Sequence, residues 1–302
     1  MGSNYNYKEK LSGVFTPNTT AFINEEVAYD KIINNIEIYN QSSLKGYMPL
    51  GSNGESKSLT EEESIKIVKI YRKYMNQDKT LIVGASRESA KATIDFIKRI
   101  ADIGADFATI QPPHYFVKYM TEEALIKYYG TIAEQSPIPI MMYNAPKFTA
   151  GVLITPKMIS VLAEHPMIAG MKDTSSEDIS IYVNAVPKNS NFFVLAGTIN
   201  KLFAGLEIGA IGGVVSMADY LPDLCCKLQS TFELGKFEEA RRLDIYSREL
   251  SKNAAGKYGV AGVKAAMDLL GFFGGDPRIP LLPLNDQQKK NLEDVLKEES
   301  LL

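Results

Sequence analysis

Short apolar runs alternate with longer amphipathic segments along most of the chain. Eight of these runs are rich in branched and aromatic residues and predict β-strands: Leu11–Thr16, Gly46–Leu50, Thr80–Gly84, Phe107–Gln111, Pro139–Tyr143, Ile168–Lys172, Phe192–Ala196 and Ala210–Ser216. Each run is followed by a segment with helical periodicity: Asp30–Asn40, Glu61–Met75, Ser89–Ile103, Glu122–Glu134, Pro156–Ala163, Glu177–Val186, Lys201–Ile208 and Leu221–Leu234. The pattern predicts eight βα units in series.

The predicted strands are apolar almost throughout, which is typical of parallel strands covered on both faces. Eight βα units without a linker favour an α/β fold of the closed (β/α)8 TIM-barrel type over a doubly wound sheet. We expect residues 1–235 to form this barrel with the catalytic site. Residues 236–302 are predicted to form a C-terminal helical extension packed on the barrel, interrupted by the glycine- and proline-rich stretch 271–283.

Several predicted helices begin with capping residues. Thr60 with Glu63 forms a capping-box pattern, and Thr155 precedes a proline at the first helical position. Ser175 with Asp178 fits the same capping spacing. We therefore expect helices to begin at these three points.

Composition and charge exclude several classes of protein. The 302 residues carry 33 basic and 36 acidic side chains, a net charge of −3, which gives no support to nucleic-acid binding. Two adjacent cysteines, Cys225 and Cys226, indicate a reducing compartment rather than a disulfide scaffold. The polar first ten residues lack the apolar core of a signal peptide, and the most apolar window, Phe192–Ala218, contains charged residues. These features predict a cytoplasmic protein without a membrane partner.

The active site of a TIM barrel lies at the carboxyl ends of its strands. The polar residues that follow the predicted strands are Thr16, Ser52, Asn53, Glu55, Ser86, Arg87, His114, Tyr115, Tyr143, Asn144, Lys172, Asp173, Thr198 and Asn200. The chain has only two histidines and no spaced carboxylate cluster, so we expect no metal site. We also expect no Ser-His-Asp triad, because His165 precedes the sixth strand and so lies at the wrong end of the barrel. The four glycines of residues 205–213 do not follow a strand and open a helix, as a dinucleotide fingerprint requires, so no cofactor is predicted.

The remaining candidates are a lysine, two tyrosines and a glycine-flanked turn. Lys172 at a strand end in a barrel mouth would be partly desolvated, which favours the neutral amine that attacks a carbonyl. Tyr143, at the end of the preceding strand, can carry a proton, and the GSNGE turn at 51–55 has a shape suited to a carboxylate. Together these residues describe a Schiff-base site for a 2-oxo acid. Each of these residues also has an ordinary structural explanation: strand-end lysines are commonly solvated, and strand-end tyrosines commonly pack against the core. Spacing alone therefore leaves the Schiff-base site as one candidate among several.

Five motifs strengthen this hypothesis: GSNGE (51–55), PHYF (113–116), YNAP (143–146), GMKDTS (170–175) and LAG (195–197). As a set, over about residues 11–283, they resemble the dihydrodipicolinate synthase/N-acetylneuraminate lyase family of class I aldolases. The resemblance implies that Lys172 forms the imine with pyruvate and that Tyr143 relays protons.

The resemblance also implies roles for residues around this pair. Ser52 and Asn53 would bind the pyruvate carboxylate, and Gly197 and Val215 would line the pocket with backbone groups. Tyr115 would be shared across a subunit interface, in a homotetramer built from two dimers.

Departures from the family pattern bear on the substrate. Phe148 stands where dihydrodipicolinate synthases typically carry an arginine for the aldehyde's carboxylate, and phenylalanine cannot form that ion pair. The stretch 197–200 lacks the acidic pair typical of sialic-acid lyases. GSNGE, with residues 258–268 and 271–275, resembles 4-hydroxy-2-oxoglutarate aldolases, in which Thr174 would take the place of a substrate-contacting serine.

We therefore expect a pyruvate-forming aldolase that acts on a 4-hydroxy-2-oxo acid. The alternatives are 4-hydroxy-tetrahydrodipicolinate synthase, an N-acetylneuraminate lyase-like enzyme, and a 2-keto-3-deoxy sugar acid aldolase or dehydratase. A barrel that only binds a 2-oxo acid as a sensor is a further alternative outside catalysis.

Overall fold

The computed structural model describes residues 6–302 and contains a closed barrel of eight parallel strands. The strands are β1 (Gly13–Thr16), β2 (Gly46–Tyr47), β3 (Thr80–Gly84), β4 (Phe107–Ile110), β5 (Ile140–Asn144), β6 (Ile168–Asp173), β7 (Phe193–Ala196) and β8 (Gly212–Val214). Each strand pairs with the next in the sequence, and β1 closes the barrel on β8, with Val14 opposite Gly213. The predicted (β/α)8 barrel is confirmed.

Helices precede, separate and follow the strands. They are α1 (Tyr7–Leu11), α2 (Tyr29–Tyr39), α3 (Glu61–Tyr74), α4 (Ala90–Ile103), α5 (Glu122–Gln135), α6 (Pro156–Leu162), α7 (Ser180–Val183), α8 (Ile199–Glu207), α9 (Pro222–Glu233), α10 (Phe237–Asn253), α11 (Gly259–Leu269) and α12 (Asp286–Glu298). A two-stranded hairpin, Phe22–Ile23 with Glu26–Val27, lies between β1 and α2. Neither this hairpin nor α1 was predicted, because both are too short to show a period.

Two of the three predicted helix caps are confirmed. The Thr60 side chain accepts from the backbone N–H of Glu63 while the Glu63 carboxylate accepts from the backbone N–H of Thr60. Thr155 caps α6 at Met158, with Pro156 in the first turn. The cap predicted at Ser175 is wrong, since α7 begins only at Ser180.

The predicted helix at 177–186 is correspondingly reduced to a single turn. The side chain of Asp178 accepts from the backbone N–H of Ser180, which forms a local turn instead of a capping box. The residues after β6 therefore run as an irregular loop past the end of the barrel.

Two strands end two or three residues earlier than predicted. The run beginning at Gly46 is paired only through Tyr47, and Leu50 has φ of 61° in the left-handed region. The chain therefore turns away from the barrel directly before the GSNGE segment. The eighth strand likewise covers only Gly212–Val214, and a 3-10 turn, Ser216–Asp219, follows it.

The interior of the barrel is packed with side chains and closed at its amino-terminal end by α1. Tyr7 lies edge-on against Phe107, with ring centres 5.9 Å apart, and Leu11 is fully buried in the same cluster. Tyr7 also donates to the backbone oxygen of Pro166. Because this end is filled, the strand ends on the opposite side are the open mouth of the barrel.

The helices after residue 236 contact the barrel through both apolar and polar groups. Phe272 stacks on Tyr39 at 4.8 Å between ring centres, and Asn35 bonds both the N–H and the carbonyl of Phe273. Lys264 and Glu55 form a fully buried ion pair at 2.7 Å. The C-terminal helices are thereby connected to the GSNGE turn. Among residues 6–302, the helices are all too short or too polar to cross a membrane.

Candidate active site

A cavity of about 760 Å³ opens at the carboxyl ends of the strands. Its inner wall includes Ser52, Asn53, Gln111, Tyr143, Lys172, Thr174 and Gly197, and its outer wall includes Phe148, Tyr258, Val260, Leu281 and Leu282. Besides the Lys172–Tyr143 pair, the sequence predicted six site residues, and four of them line this space. The outer wall from the C-terminal residues was not predicted as part of the site, although Tyr258 and Val260 lie in the stretch 258–268 that carries the resemblance, because Leu281 and Leu282 carry no chemical signature and are distant in sequence.

Lys172 lies on β6 directly opposite Tyr143 on β5. Both side chains are buried, and the Lys172 Nζ lies 4.5 Å from the centre of the Tyr143 ring. The sulfur of Met48 is 3.9 Å from the same nitrogen. An amine held between an aromatic ring and a thioether at the floor of a cavity is placed to attack a carbonyl carbon.

Tyr143 is linked to two further polar side chains. Its hydroxyl lies 3.4 Å from the Ser52 Oγ, which also accepts from Gln111 Nε2 at 3.4 Å. These long contacts form a chain of exchangeable hydrogens leading from the phenol to the cavity wall. Gln111 was missed as a site residue, although a polar residue at the end of an apolar strand was a signal for it.

The side chain of Asn53 is hydrogen-bonded to a buried carboxyl group. Its Nδ2 donates to Asp219 Oδ2 at 2.8 Å, and Thr16 Oγ1 donates to Asp219 Oδ1 at 2.5 Å. Burial raises the pKa of Asp219 to about 7, against the lowering effect of these bonds and of the Lys172 charge. Asp219 was not predicted; its only signal was an acidic residue inside the apolar run after the eighth strand.

Thr174 and Gly197 lie side by side on the cavity wall. Thr174 Oγ1 donates to the backbone oxygen of Asn144 at 2.9 Å, and the Gly197 N–H donates to the Asp173 oxygen at 2.7 Å. A Cβ on Gly197 would come within 2.2 Å of the Thr174 methyl group. Only glycine fits there. The close approach of Gly197 to Thr174 requires the end of β6 to stay in place. Asp173, the last residue of β6, forms an ion pair with Lys201 that holds this strand end.

Two of the predicted site residues lie outside this cavity. Val215 is fully buried and its N–H donates to Phe15 O at 3.2 Å, so the adjacent Ser216 lines the space in its place. Tyr115 is 78% exposed, packs edge-on against Phe116 and lies on the loop after β4, where its backbone N–H donates to Glu88. Its predicted role needs a second subunit.

The outer cavity wall combines apolar side chains with two lysines, Lys57 and Lys147. Phe148, Leu281 and Leu282 are each at least 44% exposed around the mouth. Lys57 donates to the backbone oxygen of Ser86 at 3.1 Å, and desolvation together with the neighbouring Arg87 charge lowers its pKa. Lys57 and Lys147 are therefore two further amines in this cavity beside that of Lys172.

A second cavity, of about 660 Å³, lies at the opposite end of the barrel near Lys45 and Lys79. Lys79 donates to the backbone oxygens of Ser42 and Leu44, so its amine is engaged. Within the described residues 6–302, no group of three or more His, Cys, Asp or Glu side chains could hold a metal ion.

Comparison with known proteins identifies the relatives of this fold and site. The model of the dihydrodipicolinate synthetase family matches residues 10–299. The 4-hydroxy-tetrahydrodipicolinate synthase of Methanococcus aeolicus is 30% identical over 293 residues, covering 97% of this chain and all of the relative. An uncharacterized DapA-like lyase of Halobacterium salinarum is 31% identical over 295 residues, covering 97% of this chain and 95% of the relative.

Solved structures agree with these sequence matches. The dihydrodipicolinate synthase of Thermotoga maritima superposes with a TM-score of 0.91 at 27% identity, over 96% of this chain and 99% of that one. The similarity therefore extends over the barrel and the C-terminal helices together.

Proposed function

The chain belongs to the dihydrodipicolinate synthetase family of pyruvate-dependent carbon–carbon lyases, and we propose that it cleaves a 4-hydroxy-2-oxo acid, such as 4-hydroxy-2-oxoglutarate, to pyruvate and an aldehyde. The reverse condensation uses the same groups. The observation that carries the proposal is the buried amine of Lys172 beside Tyr143 at the floor of the cavity.

The chemistry follows from the positions of these two side chains. The Lys172 amine adds to C2 of the 2-oxo acid, and loss of water gives an imine that can accept an electron pair. Tyr143 gives its phenol proton to the hydroxyl that leaves as water during imine formation, and the resulting phenolate takes the proton of the 4-hydroxyl group while the C3–C4 bond breaks. The bonding pair moves into the imine to give an enamine, and the aldehyde departs. Protonation at C3 and hydrolysis then release pyruvate and restore the amine.

The substrate carboxylate would be bound by the turn that follows β2. Ser52 and Asn53 lie on the inner wall, and the Ser52 hydroxyl is already linked to the Tyr143 hydroxyl. A carboxylate bound here would orient C2 toward the Lys172 nitrogen. This orientation supports a 2-oxo acid over a simple ketone.

The aldehyde half of the substrate would occupy the outer cavity. Phe148, Val260 and Leu282 offer apolar contact there, and Phe148 gives no ion pair to a second carboxylate. We therefore propose that the enzyme accepts less polar aldehyde halves more readily than glyoxylate, the aldehyde half of 4-hydroxy-2-oxoglutarate.

A second candidate is 4-hydroxy-tetrahydrodipicolinate synthesis, because the Methanococcus aeolicus relative has that activity in its name. Phe148 at the cavity mouth weighs against it. A synthase would consume pyruvate in the presence of a carboxylated aldehyde, whereas the proposed lyase releases pyruvate from the hydroxy-oxo acid.

The testing experiment measures pyruvate release from 4-hydroxy-2-oxo acids that differ in their aldehyde half. We expect release by the wild type, by Lys57→Ala and by Lys147→Ala, which remove the other two amines of the cavity, and no release by Lys172→Ala. Loss of substrate without pyruvate would show a dehydratase. Binding of pyruvate without any turnover would show a sensor, and either result would overturn the proposal.

A further inference from the structure

Asp219 is a buried carboxyl group that the chemistry above does not use. It is fully inaccessible to solvent, at the end of the 3-10 turn after β8. Its two carboxyl oxygens accept from the Thr16 hydroxyl and the Asn53 amide nitrogen, and Asn53 itself lines the cavity. Asp219 therefore contacts the substrate-binding turn without facing the substrate.

The Asn53 amide has a donating end and an accepting end, and a partner decides which way it is turned. An ionised carboxylate only accepts hydrogen bonds, so it holds the nitrogen end. With one N–H bonded to Asp219, the second N–H of the same nitrogen is fixed relative to the cavity. That donor is the group a substrate carboxylate requires.

We propose that Asp219 is a positioning residue for the substrate carboxylate, acting by fixing the orientation of the Asn53 amide. The proposal rests on the proposed function, since it needs a 2-oxo acid in the cavity. A protonated Asp219 could donate to the amide oxygen instead, and the amide would then be free to adopt either orientation. The Asn53 amide therefore has one fixed orientation only while Asp219 is ionised.

The groups around Asp219 place its protonation, and with it the loss of the fixed Asn53 orientation, near neutral pH. The titratable groups that interact with Asp219 are Lys172 on β6, Tyr39 on α2, Tyr71 on α3, Tyr220, and Cys225 on α9. Burial raises the pKa of all four tyrosine and cysteine groups, so they stay neutral through the physiological range. Burial also raises the pKa of Asp219 to about 7, with the charge of Lys172 opposing it. The fixed orientation is thus present above this pH and is lost as the pH falls through it.

The test compares KM and kcat of the wild type and Asp219→Asn between pH 6 and 8.5. In the wild type, the KM for the 2-oxo acid should rise several-fold as pH falls through about 7. In Asp219→Asn, KM should be raised about tenfold at pH 8, the cost of about one hydrogen bond to a charged group, with kcat within threefold. The variant's KM should also lack the rise below pH 7, because an amide does not titrate.

Tyr39→Phe is the matched control for local loosening. It removes the hydroxyl that donates to the backbone oxygen of Asp219 and leaves the carboxyl group and Asn53 in place. We expect it to keep the wild-type KM and its pH profile. An equal change in both variants, or a pH-dependent KM that survives in Asp219→Asn, would overturn the proposal.

Failure of this inference is separable from failure of the proposed function. If the wild type releases no pyruvate at any pH, the function itself fails. If Asp219→Asn does not fold, the pH dependence of the wild-type KM still tests the inference. A wild-type KM that is constant from pH 6 to 8.5 would contradict a positioning group that titrates in this range.

Discussion

Lys172 and Tyr143 lie opposite each other on neighbouring parallel strands, with the amine 4.5 Å from the centre of the phenol ring. The pairing register of β5 and β6 fixes this relationship, so it does not depend on a flexible loop. A nucleophile and its proton carrier placed on rigid strands are positioned before the substrate arrives.

Tyr143→Phe tests the second member of this pair. The variant keeps the ring beside Lys172 and removes the hydroxyl 3.4 Å from Ser52. We expect kcat to fall on the order of 10²-fold, because general acid–base catalysis contributes about that much, while pyruvate still forms an adduct slowly. Steady-state pyruvate release measures the effect. Tyr128→Phe, which lies away from the cavity and bonds Arg87, is the control, and full activity of Tyr143→Phe would disprove the proton relay.

Phe148→Arg tests the outer cavity. A guanidinium group at the mouth would bind a carboxylate on the aldehyde half, so the KM for 4-hydroxy-2-oxoglutarate should fall about tenfold, the value of one ion pair of roughly 1.4 kcal/mol. The KM for substrates with apolar aldehyde halves should rise. Phe148→Leu controls for loss of the ring alone. An unchanged preference in Phe148→Arg would show that the aldehyde binds elsewhere.

The buried pair of Lys264 and Glu55 gives a prediction on stability. Burial lowers the pKa of Lys264 and the Glu55 carboxylate opposes this, while Glu55 also accepts from the Arg278 backbone. Lys264→Met should lower the free energy of unfolding by about 3–5 kcal/mol, because it leaves a buried charge unpaired.

A matched double variant shows whether the lost stability comes from the unpaired buried charge. Glu55→Gln with Lys264→Met removes both charges and should recover part of the lost free energy in denaturant unfolding. If the double variant is as unstable as the sum of the single variants, then the pair contributes by packing and not by its charges.

Tyr115 gives a prediction on assembly. Its side chain and those of Phe116 and Tyr119 are 78%, 62% and 72% exposed, which forms an apolar surface that a second copy would cover. We expect a homotetramer in solution, and Tyr115→Ala should lose activity when the oligomer is intact. Mixing Tyr115→Ala with Lys172→Ala should restore about a quarter of the activity if the tyrosine serves the neighbouring site, since about one site in four then combines Lys172 of a Tyr115→Ala subunit with Tyr115 of a Lys172→Ala neighbour. A fully active monomer would contradict sharing.

Much of the architecture follows from local pattern. The strand order, Thr60 and Thr155 as caps, and the placement of Lys172 beside Tyr143 all depend on periodicity and on the sequential barrel, so they could be predicted. The short α7 could not, because Ser175 and Asp178 match the capping spacing but Asp178 satisfies a nearer N–H.

The parts of the site that were missed depend on contacts between distant residues. Asp219 acts through Asn53, 166 positions away, and Gln111 reaches Ser52 across 59 positions. Part of the outer wall likewise comes from distant residues without a chemical motif, Leu281 and Leu282. The pattern of apolar and polar residues along the chain shows where a strand ends. The partners of a buried polar group become visible only in the three-dimensional structure.

The central claim is that Lys172 forms an imine with a 2-oxo acid. Reduction with borohydride in the presence of pyruvate, followed by intact mass and peptide mapping, tests it most directly. We predict one pyruvate-derived adduct per chain, located on Lys172, present in Lys57→Ala and absent in Lys172→Ala. An unmodified protein at saturating pyruvate, or an adduct on Lys57, would contradict the account.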